Sequence, residues 1–505
     1  MINNISRVFG KINLDKIIKM LITLMFVFLP IVDMLRVTSI KDVELFGVSI
    51  IELINIFLVG VSFIFTIPKI KKKHLVCLAV YFMCIIIYLI FHVINTYSFN
   101  LALVPESTHN FIVEAYYIFR VYILPLLLMI VLFENKKIFN RQYYLNIMKY
   151  LVIVISGQIV VLNLCGFSYS TYAFGNDSFL INKTNFFDVF GYTGDYKNLF
   201  TIGLMSSANQ ISIILFMLLA INVYNLYLCP KTKNLLLIFL QCFSMIIIGT
   251  KVAALGCLLI LFATLFMYYF FVILKRDKHN KRYSLMHIGL IVMVSIVLMV
   301  SPFARLYTEK IPGTGFKNDL SIEEIKRVRG QLDDSTLTEE QLIELLSENS
   351  TVFKISPMFY NMYPIENDLE FWLTIARRDR KINNNYRVIK NDIVKRIVEK
   401  NNNKYDKLVG IGYTVGTLDM ERDYVYQYYL FGIIGLLLLI GVYGFFYIYN
   451  ILKIFKRNYF NYNFCIMLVP PFLGLVACYF SGHLFGWVSP MLILGSMLCV
   501  GRVNE

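Results

Sequence analysis

Apolar residues run almost without interruption through most of the chain and do not alternate. A bilayer core needs about 20 apolar residues per helix. The runs predict spans at 17–36, 46–68, 75–97, 111–133, 148–165, 206–228, 235–250, 252–274, 284–301, 425–447, 464–480 and 485–501, about twelve in all. The span at 235–250 is short and abuts the next at Gly249-Thr250-Lys251. Two polar segments interrupt the series, 166–205 and 302–424. Loops longer than about 15 residues carry function or disorder. The larger segment has helix signals: Ser321-Ile322-Glu323-Glu324, Thr338-Glu339-Glu340-Gln341, and Val388, Ile389, Ile393, Val394, Ile397 and Val398 at helical spacing. The fold class is therefore an all-α polytopic membrane protein, with spans one to nine in 1–301, a helical cap in 302–424 and spans ten to twelve in 425–505.

Composition narrows the class further. Of 505 residues 58% are hydrophobic and 16% charged, with mean hydropathy +0.64. A soluble domain carries roughly a quarter charged residues. A soluble enzyme, a disordered chain and a disulfide scaffold are excluded, and continuous apolar runs exclude a β-barrel. The nine Cys lie in or beside apolar runs and form no CxxC pair, so they read as small embedded hydrophobes. The basic start, Met1 to Lys19, lacks a small-residue cleavage site after the first apolar run and reads as a retained anchor.

Net charge is +15. The basic loops at Lys69–Lys73, Lys136–Arg141, Lys231–Lys233, Lys275–Arg282 and Lys453–Arg457 all fall on the N-terminal side when spans are counted. That side is expected to be cytoplasmic, with both termini inside and the cap outside. Segment 302–424 has nearly equal numbers of acids and bases. The excess charge thus lies on the inner loops, which argues against a nucleic-acid partner.

Charges within the bilayer cost on the order of 2.5–3.5 kcal/mol each, so each needs a reason. Asp33, Glu52, Glu114, Arg120 and Lys251 all fall in the outer halves of their spans or at an outer turn. An ion path would use the midplane. A pocket opening outward to a lipid-linked anion would place the charges as found. The alternative is helix packing, with Glu114 and Arg120 paired to each other or to Glu52. A six-residue spacing makes the first of these pairings poor.

Four stretches stand out together: Gly203-Leu204-Met205-Ser206-Ser207-Ala208-Asn209-Gln210; Gly249-Thr250-Lys251; Gly410-Ile411-Gly412-Tyr413 with Glu421-Arg422-Asp423-Tyr424 and Gly432-Ile433-Ile434-Gly435; and Ser481-Gly482-His483-Leu484-Phe485. In kind, order and spacing they resemble the O-antigen polymerase and O-antigen ligase superfamily of bacterial membrane glycan-assembly enzymes. The resemblance covers roughly 110 to 500. The family's "G-x-G" element matches Gly410 and Gly412, its acidic or His motif Glu421 and Asp423, and its "G-hydrophobic-hydrophobic-G" element Gly432 and Gly435. Lys251 stands where the family commonly has Arg, and a Lys meets phosphate as a point charge, without a bidentate clamp. Ligases of the family carry His where this chain has Glu421, which favours a polymerase.

The resemblance implies glycan transfer from undecaprenyl diphosphate to a saccharide hydroxyl, without a metal or other cofactor. It implies lipid-linked donor and acceptor, membrane lipid, a chain-length regulator and a flippase as partners, and capsule, exopolysaccharide or O-antigen as product. A leaving diphosphate needs cations and an attacking hydroxyl needs a base. Lys251 and Arg120 fit the first role, with Arg378, Arg380 and His483 as further substrate contacts, and Glu421 and Asp423 fit the second. Each has a plainer reading. Glu421 to Asp423 suits a solvated turn, Arg377 to Lys381 a solvated face, and His483 interfacial packing. Tyr424, Tyr426, Tyr428 and Tyr429 suit an interfacial belt. A flippase, the alternative of another class, would show repeated halves and midplane charges.

Overall fold

The computed structural model describes residues 13–35, 44–45, 48–105, 107–172, 181–275, 279–308, 321–383, 386–415, 420, 422–456, 460–480, 482 and 484–500. Among them, ten helices are long and apolar enough to cross a membrane, and Thr232–Ile248 and Val488–Cys499 are shorter apolar helices. The chain is an all-α polytopic membrane protein. Among the described residues, strand is limited to two-residue pairs such as Ser168–Tyr169 with Ile181–Asn182, in antiparallel register. The chain forms two compact units, 1–75 with 119–311 and 443–505, and 76–118 with 312–442.

The first unit holds α1 (Leu14–Leu35) and α2 (Ile50–Thr66). The next long helix, α3 (Lys72–Tyr97), and the first eight residues of α4 (Phe111–Glu134) lead through the second unit. The first unit resumes within α4 and continues through α5 (Arg141–Leu164), α6 (Ala208–Leu228), α7 (Thr232–Ile248), α8 (Lys251–Lys275) and α9 (Lys281–Met299). α6 is buried on every face from Gln210 to Leu226. A helix that is apolar all round belongs in the centre of its bundle. α6 packs against α5, α7, α8 and the later span Tyr462–Tyr479. α4 changes to a π-turn at Phe119–Ile123, which carries Arg120. Such turns re-aim side chains and recur at functional sites.

In the second unit, α10 (Ile322–Gln331) starts at Ser321, whose side chain accepts from the Glu324 amide at 3.0 Å. α11 (Glu339–Glu348) starts with a capping box of Thr338 and Gln341. These caps satisfy amides that the first turn leaves unpaired. α12 (Leu369–Arg377) and α13 (Tyr386–Asn401) follow. α13 buries Ile389, Ile393, Val394, Ile397 and Val398, the apolar face that the sequence pattern predicts. This face joins Trp372, Tyr363, Phe353 and Phe359 in one core. The indole N–H of Trp372 donates to the Tyr363 carbonyl at 3.1 Å, so the ring is buried without an orphan donor. α14 (Asp423–Leu439) closes the unit, and α15 (Gly441–Lys456) leads back into the first. The predicted span 425–447 is thus longer, from Asp423 to Lys456, and it is not one regular helix.

Candidate functional site

α14 is broken at Gly432, whose backbone sits at φ 65°, ψ −177°. That conformation is essentially glycine's alone. A break strips the preceding carbonyls of their helical partners, and inside a bilayer no water replaces them. Three consecutive carbonyls find partners in the same unit. Tyr429 accepts from the Ile411 amide at 3.0 Å, Leu430 from the Gly412 amide at 3.0 Å, and Phe431 from the Tyr88 hydroxyl at 2.8 Å. The segment through Gly410 and Gly412 therefore docks in the break as a substitute for the missing turn. It comes too close for side chains. A Cβ on Gly410 would overlap the Leu430 carbonyl, one on Gly432 the Leu408 carbonyl, and one on Gly435 the Tyr88 hydroxyl. The two glycine elements seen in the sequence are two halves of one lock.

Beneath this lock lies a buried pair. His92 Nε2 is 3.0 Å from Glu114 Oε1, and Nδ1 is 2.5 Å from the Val409 carbonyl oxygen. A carbonyl only accepts, so Nδ1 is the donor to Val409, and Nε2 faces the Glu114 carboxyl group. Glu114 also accepts from the Tyr413 amide at 2.6 Å and the Thr414 amide at 3.3 Å. Tyr413 stacks on Tyr117 with ring centroids 4.1 Å apart, and Gln427 donates to the Tyr117 hydroxyl at 3.0 Å. Asn95 donates to the Gly410 carbonyl at 2.8 Å and to Asp406 at 2.9 Å. Burial raises the Asp406 carboxyl above its ordinary value, against the pull of its bonds to Asn401 and Asn95.

Asp423 is buried in the first turn of α14. A carboxylate is favoured there by the helix dipole. Arg422 beside it is exposed, as a solvated turn would have it, whereas the burial of Asp423 takes it out of such a turn. Glu421 and His483 lie outside the described residues. Arg378 pairs with Asp392 at 2.5 Å and lines a cavity of about 250 Å³ with Glu370, Arg396 and Glu399. Arg380 reaches the Thr351 carbonyl at 3.5 Å. Burial, then nearby Arg329, pull its guanidinium below the ordinary value. Arg377 binds Asp333 at 3.1 Å.

In the first unit the Gly249 turn is held from several sides. Gly249 is left-handed at φ 71°, and a Cβ there would overlap Phe200. Tyr172 donates to the Gly249 carbonyl at 3.1 Å, and Thr171 to Ile248 at 2.9 Å. Thr250 accepts from the Ala253 amide at 3.2 Å and meets Ser212 at 2.6 Å. The turn presents Lys251 exposed at the N-terminus of α8. Arg120 Nη1 pairs with Glu52 Oε1 at 2.6 Å. The Glu52 side chain is 9% exposed and that of Arg120 is 22% exposed. Asp33 accepts from the Ser206 hydroxyl at 2.7 Å, and the Leu204 amide donates to Gln158 at 3.0 Å. The stretch Gly203–Gln210 thus meets Asp33 of α1 and Gln158 of α5.

The candidates fall into two groups. Arg120 and Lys251 belong to the first unit, and Asp423, Arg378 and Arg380 to the second. His92 escaped the sequence reading. Its signal is the polar stripe Tyr88, His92, Asn95 and Thr96 at spacings of three and four in an apolar span, a face that has to meet protein.

A many-span helical bundle with a broken, glycine-locked helix and paired intramembrane charges defines a polytopic membrane protein with a built polar site. A family model described as "O-antigen ligase like membrane protein" matches residues 15–500, and the chain belongs to that family. The family supports a function in membrane glycan assembly. No curated protein and no solved structure matches the chain.

Proposed function

We propose that the protein is a polysaccharide polymerase of a bacterial cytoplasmic membrane, working on the outer face with both termini inside. It transfers glycan from an undecaprenyl-diphosphate donor to a hydroxyl of a lipid-linked acceptor glycan. The acceptor oxygen attacks the anomeric carbon, the bond from that carbon to the diphosphate oxygen breaks, and the diphosphate leaves with the electron pair. The hydroxyl proton passes to a carboxyl group, Glu421 or Asp423. Arg120 and Lys251 absorb the charge growing on the diphosphate. Arg378, Arg380 and His483 are the reading's further substrate contacts. A chain-length regulator and a flippase are its expected partners.

The observation that carries this reading is the lock between Gly410-x-Gly412 and Gly432-x-x-Gly435. It satisfies a broken helix whose first turn holds Asp423 buried. Structure of that kind is costly to build for packing alone, and strain collects at functional sites. The acidic residue at 421 favours a polymerase over a ligase.

The test supplies the purified full-length protein with undecaprenyl-diphosphate oligosaccharide. A ladder of longer chains is expected, and Glu421→Gln and Lys251→Ala are each expected to abolish it with the protein still present in the membrane. Single transfer to a foreign acceptor would make it a ligase. Lipid translocation without elongation would make it a flippase.

A further inference from the structure

A groove of about 900 Å³ runs along the second unit. Its floor is one face of α3. Cys84, Ile87, Phe91, Ile94 and Ser98 recur every three or four residues. From Cys84 to Ser98 the helix rises about 21 Å. Ile434 and Leu438 of α14 form one wall, and Leu408 and Val409 another. Ile87, Phe91, Ile94 and Ile434 are all exposed. On membrane-long helices such a surface meets hydrocarbon, and a groove there fills with a chain, since water has nothing to bond to.

The groove changes character along its length. Its Cys84 end is apolar. At the other end Asn403 donates to Asn95 and to Ser98, each at 2.9 Å, and Tyr405 opens to the outside. The Lys404 ammonium lies over the Tyr405 ring, 4.9 Å from its centroid, and Lys407 is exposed one turn away. The carboxyl group of Asp406, between these lysines, is buried and held by Asn95 and Asn401. The mouth is therefore cationic and the trough apolar, which complements an amphiphile with an anionic head. The groove is also continuous with the glycine lock, since Asn95 and Tyr88 line it and bond to Gly410 and Phe431.

We infer that this groove holds the isoprenoid chain of a phosphate-bearing carrier lipid, with its phosphate at Lys404 and Tyr405. The inference rests on the lipid-linked reading above and names where the acceptor glycan's carrier lies, the donor's diphosphate being the one that reading assigns to Arg120 and Lys251. Ordinary two-chain membrane lipids are competitors.

Cys84 is an exposed thiol inside the groove and reports occupancy directly. The full-length protein, with exposed Cys77 and Cys165 changed to Ser, is treated with N-ethylmaleimide in detergent, and modification of Cys84 is followed by peptide mass spectrometry. Undecaprenyl phosphate is expected to slow labelling about tenfold, the effect of roughly 1.4 kcal/mol of occupancy. Phosphatidylglycerol or inorganic phosphate should leave it unchanged, and a Lys404→Ala, Lys407→Ala variant should lose the protection. Unchanged labelling with undecaprenyl phosphate, or equal protection by phosphatidylglycerol, overturns the inference. In a second arm, Ile434→Trp fills the trough. Elongation from a C55 carrier is expected to fall, while elongation from a C10 carrier is retained. Equal elongation from both carriers, with melting unchanged, also overturns it. Protection of Cys84 without elongation by any form leaves the carrier site standing and removes the polymerase reading. Elongation without protection does the reverse.

Discussion

Gly432→Ala is the sharpest perturbation of the lock. Two costs add. A side chain at φ 65°, ψ −177° costs about 1–3 kcal/mol in backbone strain. The new Cβ would also overlap the Leu408 carbonyl and crowd the Val409 amide, and both are backbone, so no side chain can swing away. The segment 408–412 has to move, and with it go the Ile411, Gly412 and Tyr88 bonds to the broken turn. Each is worth about 0.5–1.5 kcal/mol net, more where no water can replace it. The whole is about 3–7 kcal/mol, a large part of the roughly 5–15 kcal/mol that stabilises a typical domain. At about 2–4 °C per kcal/mol, the melting temperature in detergent should fall by at least roughly 6 °C. Gly444→Ala is the control, because nothing lies within 4 Å of a Cβ there. It should be neutral or slightly stabilising, since Ala is the better helix former. If the Gly432 and Gly444 variants melted alike, the lock would not be the element that satisfies the broken helix.

Other consequences are equally direct. Arg120→Ala leaves Glu52 buried without this partner and should cost about 3–5 kcal/mol, read as a lower melting temperature. The double variant Arg120→Gln with Glu52→Gln should recover most of that stability while elongation stays lost. Recovery of both would make Arg120 a packing residue. Asp368 accepts from Arg396 at 2.6 Å and from the Phe371 amide at 3.3 Å. Burial pushes its carboxyl up, but these bonds outweigh burial and hold it below the ordinary value. A lowered carboxyl stabilises the fold above its unfolded pKa of about 3.9 and loses that contribution as pH falls through the folded value. Melting scanned below about pH 4 should therefore show an acid limb that Asp368→Asn flattens; an unchanged limb would refute it.

The spans were legible because a bilayer allows only one reading of long apolar runs, and the cap helices because Ser321 and Thr338 announce their starts. The break at Gly432 was visible only as a glycine pattern. A glycine records that a side chain is forbidden, not what forbids it, and the Leu408 carbonyl arrives from 24 residues earlier in the chain. The π-turn at Phe119–Ile123 left no mark in the apolar periodicity. Pairings were out of reach for the same reason. Arg120 and Glu52 are 68 residues apart, and His92 and Glu114 are 22 apart on different helices.

The partners found for the intramembrane charges sort them by what they can do. Glu114 is 2% exposed, meets the His92 imidazole and accepts from two amides, so its bonds are made within its own unit. Such a group holds the Tyr413–Thr414 segment in place. Asp33 is 4% exposed and bonds Ser206, which makes it a clamp on the entry to α6. Arg120 differs in exposure, since with Glu52 paired its side chain is still 22% exposed. Lys251 is more open still, presented by a turn whose geometry Gly249 and Phe200 enforce. Burial cost alone marks every charge in a span as suspicious, whereas burial and bonding taken together show which of them hold the fold. By that measure Glu114, as buried as any, is the one whose loss should be read first in stability and only then in activity.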